Sequence, residues 1–111
     1  MINVVVIKKK QTIVTIEATG HSGYAEEGQD IVCSAVSTLM ETLANGLTEI
    51  VKANAEVVVD ESIPKLSVKL IETDKEKCKL AQVLMSSTLL GLKGVSNGYS
   101  KFIKIKEKQN D

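Results

Sequence analysis

From Ile31 to Ala53 apolar residues recur at a helical period. At about 100° per residue, Val32, Val36, Leu39, Met40, Leu43, Leu47 and Ile50 fall in one stripe about 100° wide. Ser34, Thr38, Glu41, Asn45, Glu49 and Lys52 take the opposite side. A helix this long and this one-sided must lay its stripe on another apolar surface. A second helix is expected from Thr73-Asp74-Lys75-Glu76, which reads as a capping box, to about Gly94, with Cys78, Ala81, Met85 and Leu92 at its apolar spacing. The remaining segments read as strands. Residues 2–7 are apolar and β-branched, and after a turn at Lys8–Gln11 residues 12–18 alternate, Val14, Ile16 and Ala18 against Ile13, Thr15 and Glu17. Glu56–Val59 and the alternating Leu66, Val68 and Leu70 flank a turn at Asp60–Pro64, which holds the chain's only proline. Tyr99–Ile105 reads as an edge or closing strand and Lys106–Asp111 as a polar tail. The order ββαββαβ predicts an α+β fold: a two-layer α/β sandwich in which a five-stranded mixed sheet carries both long helices on one face.

The chain's 111 residues suit a single domain, 1–111, with one core. The longest early apolar run, Val4–Ile7, is too short for a signal-peptide core, and no stretch reaches membrane-spanning length, so no membrane association is expected. All 14 basic residues are lysine, and 14 acids balance them. Without arginine or net positive charge, direct nucleic-acid binding loses its usual means, bidentate base contacts and counterion release. Lys101, Lys104, Lys106 and Lys108 read as a solvated strand face. Cys33 and Cys78 make neither a disulfide framework nor, with one histidine, a zinc site. A reducing cytoplasm is the expected compartment, with no metal and no cofactor.

The chemistry concentrates in Gly20–Cys33, which contains the only histidine, three glycines and a cysteine. Glycines Gly20, Gly23 and Gly28 interrupt regular structure, so His21 belongs to a loop and Cys33 to the first turn of the helix that follows. A thiol is a nucleophile as thiolate, and a helix N-terminus and a neighbouring imidazolium both lower its pKa. Cys33 also sits just outside the apolar stripe, at the rim of the core. Cys78, on the interior spacing of the second helix, reads as a small buried hydrophobe. Asp30 has two competing readings, N-cap of the helix or third member of the Cys/His pair. Ser37, one turn beyond Cys33 on neighbouring helix surface, has two readings, a plain helix-face residue or a donor to the thiolate. The glycine loop, with Tyr24, Glu26 and Glu27, is expected to close over an extended peptide. It is no phosphate loop, since no Lys-Ser or Lys-Thr follows its last glycine.

The run Gly20–Ser37, GHSGYAEEGQDIVCSAVS, resembles without a gap the signature of the ribosomal-processing cysteine protease family Prp, GHA-x-YA-x-x-G-x-DIVCAAVS. Ser22 and Ser34 stand where alanine is usual. The resemblance implies a bacterial cytoplasmic endopeptidase with Cys33 and His21 as its catalytic pair. Its implied substrate is the precursor of large-ribosomal-subunit protein number twenty-seven, whose N-terminal extension is removed, and its implied state is a homodimer. The basic side of that cleavage site would meet Glu26 and Glu27. Two rival readings remain: a thiol redox protein, for which no C-x-x-C is present, and a non-catalytic ribosome-associated or RNA-binding α/β module, for which Tyr24, Tyr99 and Phe102 are a thin supply of stacking rings.

Overall fold

The structure is a computed structural model that describes residues 1–20 and 29–110, leaving out the side chains of Gln29 and Asp30. The expected order holds. Strands β1 (Ile2–Lys9) and β2 (Thr12–Thr19) precede helix α1 (Gln29–Asn45), which continues as a π-helical segment, Gly46–Val51. Strands β3 (Ala55–Asp60) and β4 (Lys65–Leu70), helix α2 (Lys75–Gly98) and strand β5 (Ile103–Gln109) follow. The sheet order is β3-β4-β2-β1-β5, with β5 parallel to β1 and the other pairings antiparallel.

The register gathers the apolar side chains on one sheet face. Val6 opposes Ile16, Ile16 opposes Val68, and Ile2 opposes Ile103, so these residues point the same way. All five are at most 4% exposed. They share a core with Val32, Val36, Met40 and Leu43 of α1 and with Ala81, Met85, Leu89 and Leu92 of α2, which puts both helices over that face. Where α2 crosses α1, a Cβ on Gly91 would lie 3.0 Å from Leu39 Cδ2, tighter than ordinary contact, so glycine sets how closely the two helices approach.

Several details depart from the expected pattern, each for a physical reason. Pairing passes from Ile7↔Thr15 to Lys8↔Ile13, a bulge that leaves Val14 out of the ladder. The alternation therefore slips by one: Ile13, not Val14, joins Ile16 and Ala18 in the core, at 3% exposure. The β1–β2 turn is shorter than Lys8–Gln11, because Lys9 pairs with Thr12 and Lys10 takes a left-handed conformation, φ 60°. The stripe of the first helix holds through Leu47 and fails at Ile50, which is 80% exposed. The π-helical segment causes this, since its wider turn advances each residue by less than an α-helix does.

The second helix is capped by Asp74 rather than Thr73, the Asp74 carboxylate accepting the Lys77 N–H at 3.0 Å. The helix runs past Gly94 to Gly98, and Tyr99 is its C-cap, not the start of a strand. The last strand begins at Ile103 and reaches Gln109, with Lys106–Gln109 pairing with Val5–Lys8, so most of the expected polar tail is sheet. Lys104, Lys106 and Lys108 alternate along it and are exposed, as a solvated strand face requires.

Candidate active site

Cys33 enters the helix later than its spacing suggested. Because α1 begins at Gln29, Cys33 is its fifth residue, one turn inside the N-terminus rather than within the first turn. Asp30 is the second helical residue and so is not the N-cap, which removes the capping role expected of it. Cys33 is half-buried and packs against the core, at the rim position its place on the helical wheel indicated.

Beside it opens a cavity of about 320 Å³ lined by Cys33, Val36, Ser37 and Met40 from α1. Ser37, exposed one turn after Cys33, lines the same cavity as the thiol. The β2 end contributes Ala18 and Gly20, β1 contributes Ile2, and the β3–β4 corner contributes Val59, Asp60, Glu61, Pro64, Lys65 and Leu66. Gly20 has φ +103°, and a Cβ there would run into the Met1 carbonyl oxygen, so this position needs glycine on both counts. Its N–H donates to the Pro64 carbonyl at 3.0 Å, which ties the end of β2 to the corner. His21, Gly23, Tyr24, Glu26, Glu27 and Gly28 lie outside the described residues.

Sequence reasoning missed the corner. Asp60–Pro64 was legible only as a turn, and Glu41 only as a solvent-facing helix residue, yet both line the cavity. The Asp60 carboxylate organises this turn, accepting the Ser62 hydroxyl at 2.7 Å and the N–H groups of Ser62 and Ile63 at 3.0 and 3.3 Å. Those bonds, the Ser62 hydroxyl foremost, hold its carboxyl below the ordinary aspartate value. Lys65 lies 3.8 Å from Glu17 on the neighbouring strand. The cavity is therefore apolar at its floor, through Ile2, Val36 and Met40, and acidic at its mouth, where Glu41, Asp60 and Glu61 outnumber Lys65 among the described lining residues.

Cys78 has a different setting. It is half-buried, and its thiol donates to the Glu72 carbonyl at 3.3 Å, away from the residues that line the cavity. No three cysteine, histidine or carboxylate side chains among the described residues converge as a metal site. A half-buried thiol one turn into a helix, opening on a cavity large enough for several side chains, is the equipment of an enzyme that attacks through sulfur.

Comparison with known proteins agrees. A family model described as cysteine protease Prp matches residues 1–104. The ribosomal processing cysteine protease Prp of Mycoplasma pneumoniae is 32% identical over 97 residues, covering 86% of this chain and 89% of that one. The protein of the same name from Bacillus subtilis is 29% identical over 96 residues, 84% of each chain. Among solved structures, SMU.848 from Streptococcus mutans superimposes with a TM-score of 0.88 at 30% identity, covering 99% of this chain and 96% of that one. The Staphylococcus aureus Prp in complex with a substrate peptide shares the fold, with a TM-score of 0.86 at 18% identity over 97% of this chain and all of that one. The chain belongs to the Prp family of ribosomal-processing cysteine proteases.

Proposed function

We propose that this chain, acting as one catalytic domain over residues 1–111, removes the N-terminal extension of large-ribosomal-subunit protein number twenty-seven. The observation that carries the reading is the half-buried Cys33 thiol at a cavity, inside the segment that matches the family signature. Cys33 is the nucleophile and His21 its base. His21 takes the thiol proton, and the sulfur attacks the scissile carbonyl carbon to form a tetrahedral oxyanion. The C–N bond breaks as the imidazolium returns that proton to the leaving amine, and a thioester remains. Water, deprotonated by the same imidazole, then releases the acid and regenerates the thiol.

Amide groups of the opening turn of α1 have no partner within the helix, and their partial positive charge suits an oxyanion formed beside it. Ser37 supports the thiolate from the same helix, and Asp30 is left with the orienting role. Gly20, Gly23, Tyr24, Glu26, Glu27 and Gly28 form the substrate loop. Neither metal nor cofactor enters these steps. The N-terminal segment of the ribosomal protein precursor is the partner, and two copies of the chain form the active homodimer, a reading that rests on family resemblance. No helix of the described residues is long and apolar enough to cross a membrane. A bacterial cytoplasm suits the substrate and the two thiols.

The test is cleavage of a synthetic peptide spanning the precursor junction. The protein should cut it once and release two products, and Cys33→Ala should leave the peptide intact. Cleavage by Cys33→Ala at the normal rate would overturn the assignment.

A further inference from the structure

The cavity continues into an open sheet edge. Strand β3 is the outermost strand, paired with β4 on one side only among the described residues. The Ile71 N–H donates to the Asn54 carbonyl at 3.0 Å, one step beyond the Ala55↔Leu70 pair. Hydrogen bonding alternates along an antiparallel ladder, so Glu56, Val58 and Asp60 turn their amides and carbonyls toward β4 while Ala55, Val57 and Val59 turn theirs outward. Such a row of outward groups is a template for another strand. Val57 and Val59 are also exposed, at 38% and 64%, and Val59 lines the cavity that holds Cys33. Exposed apolar side chains and outward backbone groups thus run along β3 as far as Val59, which shares a cavity with the nucleophile.

We infer that the β3 edge is the binding track of the peptide substrate, which adds as a sixth strand against Ala55, Val57 and Val59 and so delivers its scissile bond to Cys33. This deepens the protease reading and rests on it. Backbone pairing supplies affinity for any extended segment, and the side chains on its inner face, set two residues apart, meet the apolar wall of Val57 and Val59. A peptide is the occupant, rather than a second copy of the chain, for reasons of charge and continuity. A substrate segment carrying lysine or arginine opposite Glu56 and Asp60 meets opposite charge, whereas a second copy's β3, with two carboxylates and no basic residue, offers none. The track also runs into the cavity of the nucleophile, where a subunit contact would block the cleavage it accompanies.

The experiment is residue-resolved amide exchange on the Cys33→Ala protein, with and without the synthetic junction peptide. Binding on the edge should slow exchange at Val57 and Val59 by about tenfold or more, the mark of newly formed hydrogen bonds, and leave Glu56, Val58 and Asp60 unchanged because β4 already protects them. In the otherwise native protein, Val57→Pro removes one outward N–H without touching the β4 ladder, a position where proline is tolerated. It should raise KM for the peptide about fivefold or more, in line with a lost peptide hydrogen bond, while iodoacetamide labels Cys33 at the normal rate. If that variant fails to fold, peptides N-methylated at successive positions test the same bonds from the substrate side, and loss of cleavage should alternate with a period of two. Normal cleavage with unchanged exchange at Val57 and Val59 overturns the track and leaves the protease reading standing. Protection of both amides without peptide, growing with protein concentration, overturns it in favour of a second copy. Failure of the unaltered protein to cleave overturns the protease reading, while exchange still reports whether the edge takes the peptide.

Discussion

The Gly20 N–H donates to the Pro64 carbonyl at 3.0 Å, and this bond joins the two parts of the chain that face Cys33 across the cavity. Gly20 closes β2 and Pro64 lies in the corner before β4. The contact therefore fixes one wall of the site from two segments 44 positions apart, 64 less 20. Gly20→Ala should be costly, since its backbone is left-handed and its Cβ would meet the Met1 carbonyl. We expect a loss of about 1 to 3 kcal/mol, the usual cost of a side chain forced into such a conformation, together with a fall in turnover. Denaturant unfolding and peptide cleavage on the same preparation check both, and unchanged stability would show that the wall relaxes freely.

The two thiols should differ in reactivity. Cys33 opens on the cavity, whereas the Cys78 thiol donates to the Glu72 carbonyl. Iodoacetamide followed by peptide mapping should find Cys33 modified first. Preferential labelling of Cys78 in the folded protein would remove Cys33 as nucleophile.

Cys33→Ala and His21→Ala should each abolish cleavage, and the double variant should be hardly worse than either, because nucleophile and base act as one unit. Single changes of this kind should move stability by no more than about 1 to 2 kcal/mol. Additive losses across the set would mean that His21 does not act through Cys33.

Glu72 governs a pH dependence of folding. Its carboxylate accepts the Asp74 N–H at 3.0 Å, the Asn54 N–H at 2.7 Å and the Thr73 N–H at 3.1 Å. These bonds, the one from Asp74 foremost, hold it below the ordinary glutamate value of 4.5. A carboxyl depressed in the folded state stabilises fully above its unfolded value and loses that contribution as pH falls through the folded one. Glu72→Gln should therefore be less stable than the parent at neutral pH, with the difference narrowing below about pH 4.5. Thermal melts from pH 7 to pH 3 test this, and a difference independent of pH would assign the effect to shape alone.

Gln82 completes the edge of β2 that β4 leaves open. Its amide accepts the Ile13 N–H at 2.9 Å and donates to the Ile13 carbonyl at 2.8 Å, taking the place of a neighbouring strand. Gln82→Leu should cost about 1 to 3 kcal/mol, the range for leaving a partly buried amide and carbonyl unpaired. Equilibrium unfolding measures the change, and a cost near zero would show that water replaces the side chain.

The sequence alone determined the element order, the sheet-and-helices layering and the location of the chemistry. Each is written in short-range patterns: period two in the strands, period 3.6 in the helices, and a contiguous run from Gly20 to Ser37 that places a thiol near the beginning of a helix. Only the tertiary structure decided what depends on partners distant in the chain. The bulge at Val14 exists because β1 and β2 must bring Ile13 back to the core, and β5 extends to Gln109 because the free side of β1 is there to pair with it. Ile50 left the core when the π-helical turn changed the phase of a stripe that had been regular to Leu47. The acidic mouth of the cavity was invisible for the same reason: Glu41, Asp60 and Glu61 carry no shared spacing, and meet only because β4 pairs with β2 and brings the β3–β4 corner over α1 beside Cys33.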